Sequence, residues 1–425
     1  MGHPPHCAVI GAGFIGLSTA LELQNSGCTV TLIDRQEPGM GASFGNAGFI
    51  ASESIDPLGT PATIRKALPM LMDRHGALSV PAGNWRRSLP WMLRMALSAR
   101  AKQVPRARVA LSAVLSQATP AWKRLLAREG LSGHLLKVHY LRVWEKAQDA
   151  AAAESEAAFY REWGIDAEFA NRDQLAALEP ALAATMHHAV VLPHAHRVSD
   201  PYLLCQALFD AFVQRGGVFL QQGVSALEPV GQGVRVKSTD GSPANTSYDR
   251  AVVCAGAYSA ELLRPFGVRL PLMAERGYHL NLPQVRGLLK GPVCSADRNV
   301  FINPLDGGLR VVGFSELGGT DLPPNPARFA SLRHHVSAML PQTVPQLAQA
   351  SEWMGMRPSL PDSLPVIDTH PHRPQIGFAF GHQHVGVTLA AVTGQLMAAK
   401  LLQQPTSIDL APYAVTRFPL VGAFH

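Results

Sequence analysis

Residues 7–35 read CAVIGAGFIGLSTALELQNSGCTVTLIDR. The hydrophobic pattern divides this stretch into three. Residues 7–10 form a short apolar run, the signature of a buried strand. From Leu17 to Ser26 the apolar positions Leu17, Ala20, Leu21 and Leu23 follow helical spacing, and Gly27 supplies a helix stop. Residues 29–33 make a second apolar strand. The pattern predicts a strand–helix–strand unit with Gly11-x-Gly13-x-x-Gly16 at its first turn. Gly11 permits the tight turn, Gly13 lets backbone approach a pyrophosphate, and Gly16 allows close helix–strand packing. Phe14 and Ile15 open the helix, whose free N–H groups and positive dipole end face the phosphates. Asp34 ends the second strand, 18 residues past Gly16, where an acid hydrogen-bonds a ribose hydroxyl; Arg35 follows at the same edge. The stretch is therefore expected to bind an adenine dinucleotide.

The chain carries one such fingerprint in 425 residues. A flavoprotein reduced by a nicotinamide often has a second one, so a single site points to FAD as the sole redox cofactor. Segments of similar texture recur at 197–260 and 350–400. The residues between them look different: helical stretches broken by Pro69, Pro81, Pro90, Pro105 and Pro120, then helices over 147–162 and 172–186. Two interleaved domains are predicted, with 1–60, 195–265 and 350–425 in the first and 61–194 with 266–349 in the second.

Composition excludes several classes. Hydrophobic residues make up 47% and the net charge is +6 with no long basic run, which argues against disorder and against nucleic acid. The five cysteines, Cys7, Cys28, Cys205, Cys254 and Cys294, form no CxxC pair and sit in apolar runs, as free thiols of a reducing compartment do. No metal-ligand spacing is present; His187, His188, His194 and His196 resemble a cluster by count alone and read as loop or surface. The N-terminal apolar run lacks a basic segment before it and reads as structure, not a targeting signal. Residues 64–100 are basic and contain Trp and Leu. Two readings stand for them, a membrane-interface patch and ordinary amphipathic helices on the core, and the second is favoured.

Six segments in order resemble the FAD-dependent D-amino-acid oxidase/dehydrogenase superfamily, bacterial D-amino-acid dehydrogenases most of all. They are the opening unit, GASFGNAGFI (41–50), VSDPYLLCQAL (198–208), VVCAGAYS (252–259), GMRPSLPDSLPVI (355–367) and GHQHVGVTLAAVTGQL (381–396). The resemblance covers nearly the whole chain. It implies an α/β fold in which a Rossmann-like FAD domain is interleaved with an α+β substrate domain on a mostly antiparallel sheet. It further implies that Ser43, Asn46, Ala47 and Gly48 wrap the phosphate and flavin end, and that Val224 lies beside the adenine. Ala255 and Gly256 allow close approach to the cofactor, and Gly386, Val387 and Thr388 set a helix start against the flavin pyrimidine.

Arg357 matches the arginine that such enzymes use on a substrate carboxylate, and a guanidinium offers a planar fork for that purpose. The alternative is a structural ion pair with Asp362 or Asp368. His384 and His382 flank Gln383 just before the helix start, and His384 is the candidate for contact with substrate. Tyr278, on a strand that also carries Arg276 and His279, is the candidate substrate-facing group, with a core tyrosine as its alternative. Relatives with covalent flavin use a Cys or His at places where this chain has neither, so FAD is expected to be non-covalent. The implied reaction oxidises a small, neutral D-amino acid, D-proline or its hydroxy derivative being a special case. Hydride passes from Cα to flavin N5, and electrons then pass to oxygen, a quinone or the respiratory chain. The alternatives are a 2-hydroxy-acid dehydrogenase and a flavin subunit of a larger complex. A cytoplasmic protein, membrane-associated on the inner face if residues 64–100 touch lipid, is the expected setting.

Overall fold

The computed structural model describes residues 3–182, 184–239 and 247–418. His6–Ile10 is the centre of a six-stranded sheet. It pairs in parallel with Thr29–Asp34 on one side and Arg250–Val253 on the other. Val218–Gln221 extends the first side, and Arg373–Phe380 followed by antiparallel Val366–His370 extends the second. The helix Phe14–Asn25 lies against this sheet and against Gly386–Leu401. Leu17, Leu21 and Leu23 are fully buried there, each contributing about 1.5–3 kcal/mol.

A second sheet has ten strands among the described residues. Its path runs Ser351–Ser359, Met273–Leu282, Gly308–Glu316, Val300–Leu305, Val293–Ser295, Leu135–Trp144, His188–Val198 and Phe49–Ile50. Pairing along it is antiparallel except between Val293–Ser295 and Leu135–Trp144. One face packs on the helix Pro326–Met339 through Tyr278, Leu280, Val311 and Leu332. The other face is turned to the cavity described below. The fold is mixed α/β, a parallel sheet combined with a mostly antiparallel one. Ser351–Ser359 belongs to the large sheet, because Arg357 stands opposite Glu275 in its ladder.

Several sequence expectations need correction. Pro69 and Pro90 lie inside the helices Pro61–Met72 and Trp85–Ser98 and do not end them. Pro105 and Pro120 sit in the first turns of Gln103–Leu115 and Ala118–Arg128, where a missing N–H is tolerated. The helix expected over 172–186 stops at Leu178, capped at its start by Asn171 and Gln174. His188, His194 and His196 belong to the strand His188–Val198, not to a loop, and no metal-binding cluster occurs among the described residues. Of the two helices over 64–100, Pro61–Met72 has no buried residue, whereas Trp85–Ser98 packs on the core through Trp91, as the favoured reading expects. Asp200 caps the helix that Pro201 opens, accepting from the N–H groups of Tyr202 and Leu203.

Candidate active site

A cavity of about 1400 Å³ runs between the C-terminal edge of the parallel sheet and the free face of the large sheet. Ordinary small-ligand sites occupy roughly 300–1000 Å³. At one end the chain closes on itself around the first turn. Gly11 has φ of +110°, and a side chain there would meet the carbonyl of Cys254 at 2.4 Å. A Cβ on Gly16 would stand 1.7 Å from the carbonyl oxygen of Gly11. The turn therefore admits only glycine at both places, and its backbone lies open to the cavity at Gly11 and Gly13.

The other candidate cofactor residues group around that turn. Phe14, Ile15, Asp34, Arg35, Ser43, Asn46, Ala47, Val224, Ala255 and Gly256 all line the cavity. Phe14 N–H donates to Ser43 Oγ at 3.1 Å, which ties the 41–48 loop to the helix start. Asp34 accepts from Ala12 N–H at 2.7 Å and from Gln36 N–H at 2.9 Å, and each carboxylate oxygen keeps a lone pair for a ribose hydroxyl. The Arg35 guanidinium lies 4.0 Å over the ring of Tyr258, an aromatic wall of this end that the sequence did not single out.

Three expected contacts sit behind the wall. Gly16 is packed against Gly11, and Gly48 against Pro201 and Leu305. Thr388 is fully buried, and its Oγ1 accepts from Ala51 N–H at 2.9 Å. Gly386 and Val387, the first residues of the helix Gly386–Leu401, do face the cavity. Trp122 holds that start in place by donating from its indole N–H to the carbonyl of Val387 at 2.8 Å. Both helix starts, free backbone donors and two glycine-only positions fit the pyrophosphate and pyrimidine of FAD. His382 adds a buried Nδ1 with no hydrogen-bond partner among the described residues at the same wall, its Nε2 being held by Thr393 Oγ1 at 2.9 Å. Burial lowers the His382 imidazole to about 3, so it stays neutral.

At the far end stands a charged group that the sequence reading missed. Glu275 is 2% exposed. Its Oε1 accepts from His384 Nε2 at 2.7 Å, from Arg357 Nη1 at 3.2 Å and from Ser315 Oγ at 2.5 Å; its Oε2 accepts from Ser359 Oγ at 2.6 Å. Burial alone would raise its carboxyl. The charges of His384 and Arg357 and the hydrogen bonds from His384 and Ser315 outweigh that and hold it well below the usual carboxylate range.

Arg357 is thus tied to Glu275, not to Asp362 or Asp368, which pair with Arg417 and Lys400. Its Nη1 also donates to the carbonyl of Phe314 at 2.7 Å. Phe314 has φ of +68°, a left-handed conformation that a phenylalanine holds only under constraint from its surroundings. The guanidinium lies across Gly277, where a Cβ would come within 2.3 Å of Cζ. Nε and Nη2 make no hydrogen bond among the described residues, and the side chain keeps 18% exposure to the cavity.

Tyr278 is a correction. It shares a face with Leu280, as alternation requires, but that face is the core. Its hydroxyl donates to Glu316 Oε1 at 2.7 Å and accepts from Asn325 N–H at 3.2 Å, and its ring meets Phe329 edge-on. Glu275, Gly277 and Tyr278 line the cavity from this strand, Tyr278 with no exposed surface and its hydroxyl turned to Glu316. His279 bonds the carbonyl of Gly45 at 3.0 Å and stacks on Trp353. The cavity wall is also less apolar than composition suggested: Glu53, Arg142 and Tyr160 line it, and burial pushes the Glu53 carboxyl up to about 7.

Comparisons with known proteins give the family. A D-amino-acid oxidase of Bradyrhizobium diazoefficiens is 32% identical over 419 residues, spanning 97% of this chain and 99% of the relative. A D-amino acid dehydrogenase of Xylella fastidiosa is 28% identical over 424 residues, spanning 97% and 96%. Among solved structures, glycine oxidase from Geobacillus kaustophilus superposes with a TM-score of 0.73 at 23% identity, covering 98% of this chain and all of that one (100%). L-proline dehydrogenase from P. horikoshii gives a TM-score of 0.75 at 16% identity, covering 99% of each chain. Those two likenesses speak to fold alone. Residues 6–400 match the FAD dependent oxidoreductase family, and the chain belongs to it.

Proposed function

We propose that this oxidoreductase oxidises the Cα–N bond of a small α-amino acid of D configuration. The observation that carries the reading is the free Nε–Nη2 edge of Arg357 at the cavity wall, its Nη1 already held by Glu275 and Phe314. A guanidinium edge presented in this way matches a carboxylate in two parallel hydrogen bonds. Bound FAD supplies the two-electron chemistry; the chain's own part is to fix the carboxylate and so place Cα. The D configuration rests on the two curated relatives, both named for D-amino acids. A cyclic substrate such as D-proline or hydroxy-D-proline is the narrower form of the proposal. We assign cofactor binding to 1–60, 195–265 and the segment after 359, and substrate binding to 61–194, 266–349 and the strand Ser351–Ser359.

The test is anaerobic bleaching of the flavin against D- and L-amino acids, D-proline, hydroxy-D-proline and 2-hydroxy acids. Bleaching by D-amino acids, with ammonia or a cyclic imine as product, is the expected result. Bleaching by hydroxy acids alone would replace this reading with the hydroxy-acid one.

The proposal extends to the electron acceptor. Pro61–Met72 and Trp85–Ser98 expose Leu68 (64%), Met72 (80%), Leu89 (49%), Leu93 (57%) and Leu97 (50%). Arg65, Lys66, Arg86 and Arg100 are exposed beside them. The inner sides of the same helices line the cavity through Ile64, Ala67, Met70 and Met92. An apolar, basic face at the cavity rim fits an anionic bilayer that delivers a quinone. No helix among the described residues is long and apolar enough to cross a membrane. The protein is expected to sediment with vesicles containing anionic lipid, and the double variant Leu68→Ser, Leu97→Ser, at exposed positions that do not line the cavity, to lose that at least tenfold. Equal sedimentation of the two proteins would remove the membrane from the proposal.

A further inference from the structure

We infer that His384 takes the proton from the substrate's ammonium group and that Glu275 is the positioning residue that holds His384 for this task. The inference rests on the amino-acid reading above. Three observations carry it.

The first is the sharing of one oxygen. Arg357 Nη1 and His384 Nε2 both bond Glu275 Oε1, at 3.2 and 2.7 Å. A carboxylate clamp and an imidazole are thus fixed side by side. An α-amino acid presents its carboxylate and its nitrogen on the same carbon, so a substrate held by Arg357 brings its ammonium group toward His384.

The second is the state of the imidazole. Its Nε2 is engaged by Glu275, its Nδ1 has no hydrogen-bond partner among the described residues, and the side chain keeps 37% exposure at the cavity wall. An imidazole that donates from one nitrogen to a carboxylate presents the other as an acceptor.

The third is how firmly the arrangement is built. Gln383, just before it, holds a left-handed φ of +47°, and its Nε2 donates to the carbonyl of Leu360 at 2.8 Å. Ser315 and Ser359 secure Glu275 from two further strands. A local ion pair alone would not need a strained backbone and two serines to orient it.

In the step itself an ammonium N–H bond breaks and an Nδ1–H bond forms on His384. The electron pair stays on the amine nitrogen, and nothing is oxidised or reduced. The imidazolium stands against the Glu275 carboxylate, and the exposed ring edge returns the proton to solvent. Glu275 and Arg357 are the charged groups in contact with this site. His382 is turned away to Thr393, and Glu53, Arg142 and Tyr160 line the same cavity from the turn after Phe49–Ile50, the strand Leu135–Trp144 and the helix Ala150–Glu162.

The test follows flavin reduction by D-proline under anaerobic conditions as a function of pH in the holoenzyme, in Glu275→Gln and in His384→Asn. A neutral imidazole is the active form, so the wild-type rate falls on the acid side. Removing the Glu275 anion removes the charge that holds a proton at this site, so the acid limb of the rate profile moves to lower pH in Glu275→Gln. His384→Asn keeps Glu275 and the fold; its rate at pH 7 drops about 10²–10⁴-fold and recovers only as the free ammonium group ionises. Ring NMR of labelled histidine in the same holoenzymes, without substrate, reads His384 directly and should show its Nε2–H signal displaced in Glu275→Gln, where the bond to a carboxylate is lost. Unchanged pH–rate profiles, or an unchanged His384 ring signal, would overturn the pairing. A flavin that no amino acid bleaches removes the amino-acid reading and this proton transfer with it, even if the His384 ring signal moves as expected.

Discussion

Replacing Arg357 by alanine lowers kcat/KM for the amine substrate by about 10²–10⁴-fold. The lost interaction is a charge-assisted, two-pronged one in a poorly solvated site, and truncating such a pair costs about 2–5 kcal/mol, with each 1.36 kcal/mol a factor of ten in rate. Both kcat and KM change, because the carboxylate no longer fixes Cα and positioning is lost together with binding. Arg357→Lys keeps the charge but not the fork, and lands between the two. The flavin spectrum of both variants stays that of the wild type, since Arg357 stands on Ser351–Ser359, away from the glycine turn. A kcat/KM within threefold of wild type in Arg357→Ala would show that the carboxylate is held elsewhere.

The second large effect is loss of the holoenzyme in Gly16→Ala. A single added methyl would sit 1.7 Å from the Gly11 carbonyl oxygen, far inside van der Waals contact, and the atom it meets is backbone. Relief requires the helix Phe14–Asn25 to move off the sheet, which opens the turn and misdirects its N–H groups. The variant is expected to purify colourless, or to lose its flavin on gel filtration, while wild type stays yellow. Gly27→Ala is the control: that glycine also has a positive φ, +84°, but an added Cβ meets nothing within 4 Å. Its cost is the backbone strain of about 1 kcal/mol at a helix end, with the flavin retained. Retention of FAD by Gly16→Ala would mean that the turn tolerates a shift that the geometry denies it.

The opening unit was legible because glycine spacing, strand and helix all have short-range signatures. Arg357 and the Gly386 helix start stood out through a resemblance to known sequences, and the structure places both at the cavity wall. Glu275 was not. Its strand reads MAERGYHL over 273–280, and alternation sorts those residues into two faces without saying which looks inward. Tyr278 was the candidate by resemblance, but its hydroxyl closes a buried network with Arg276 and Glu316. The one local hint was Gly277, a residue small enough to leave room for a guanidinium from the neighbouring strand. That neighbour is 80 positions along the chain, and its register with Glu275 is a property of the assembled sheet. The strand Leu135–Trp144 escaped for a related reason: it carries Lys137, His139 and Arg142 among its apolar residues, and its pattern settles only once it is paired.

The central strand has a consequence for how this protein is made. His6–Ile10 finds its neighbour at Arg250–Val253, and His6 N–H bonds Asp249 across a separation of 243 residues. That neighbour in turn waits for Arg373–Phe380, and Trp122 secures the Gly386 helix across 265 residues. Contacts of such separation form late, because long loops must close before any bond rewards them. The glycine turn thus gains its facing wall at Gly386 and Val387 only when segments about 370 residues apart have docked, and cutting the chain between them would separate the two halves of the site.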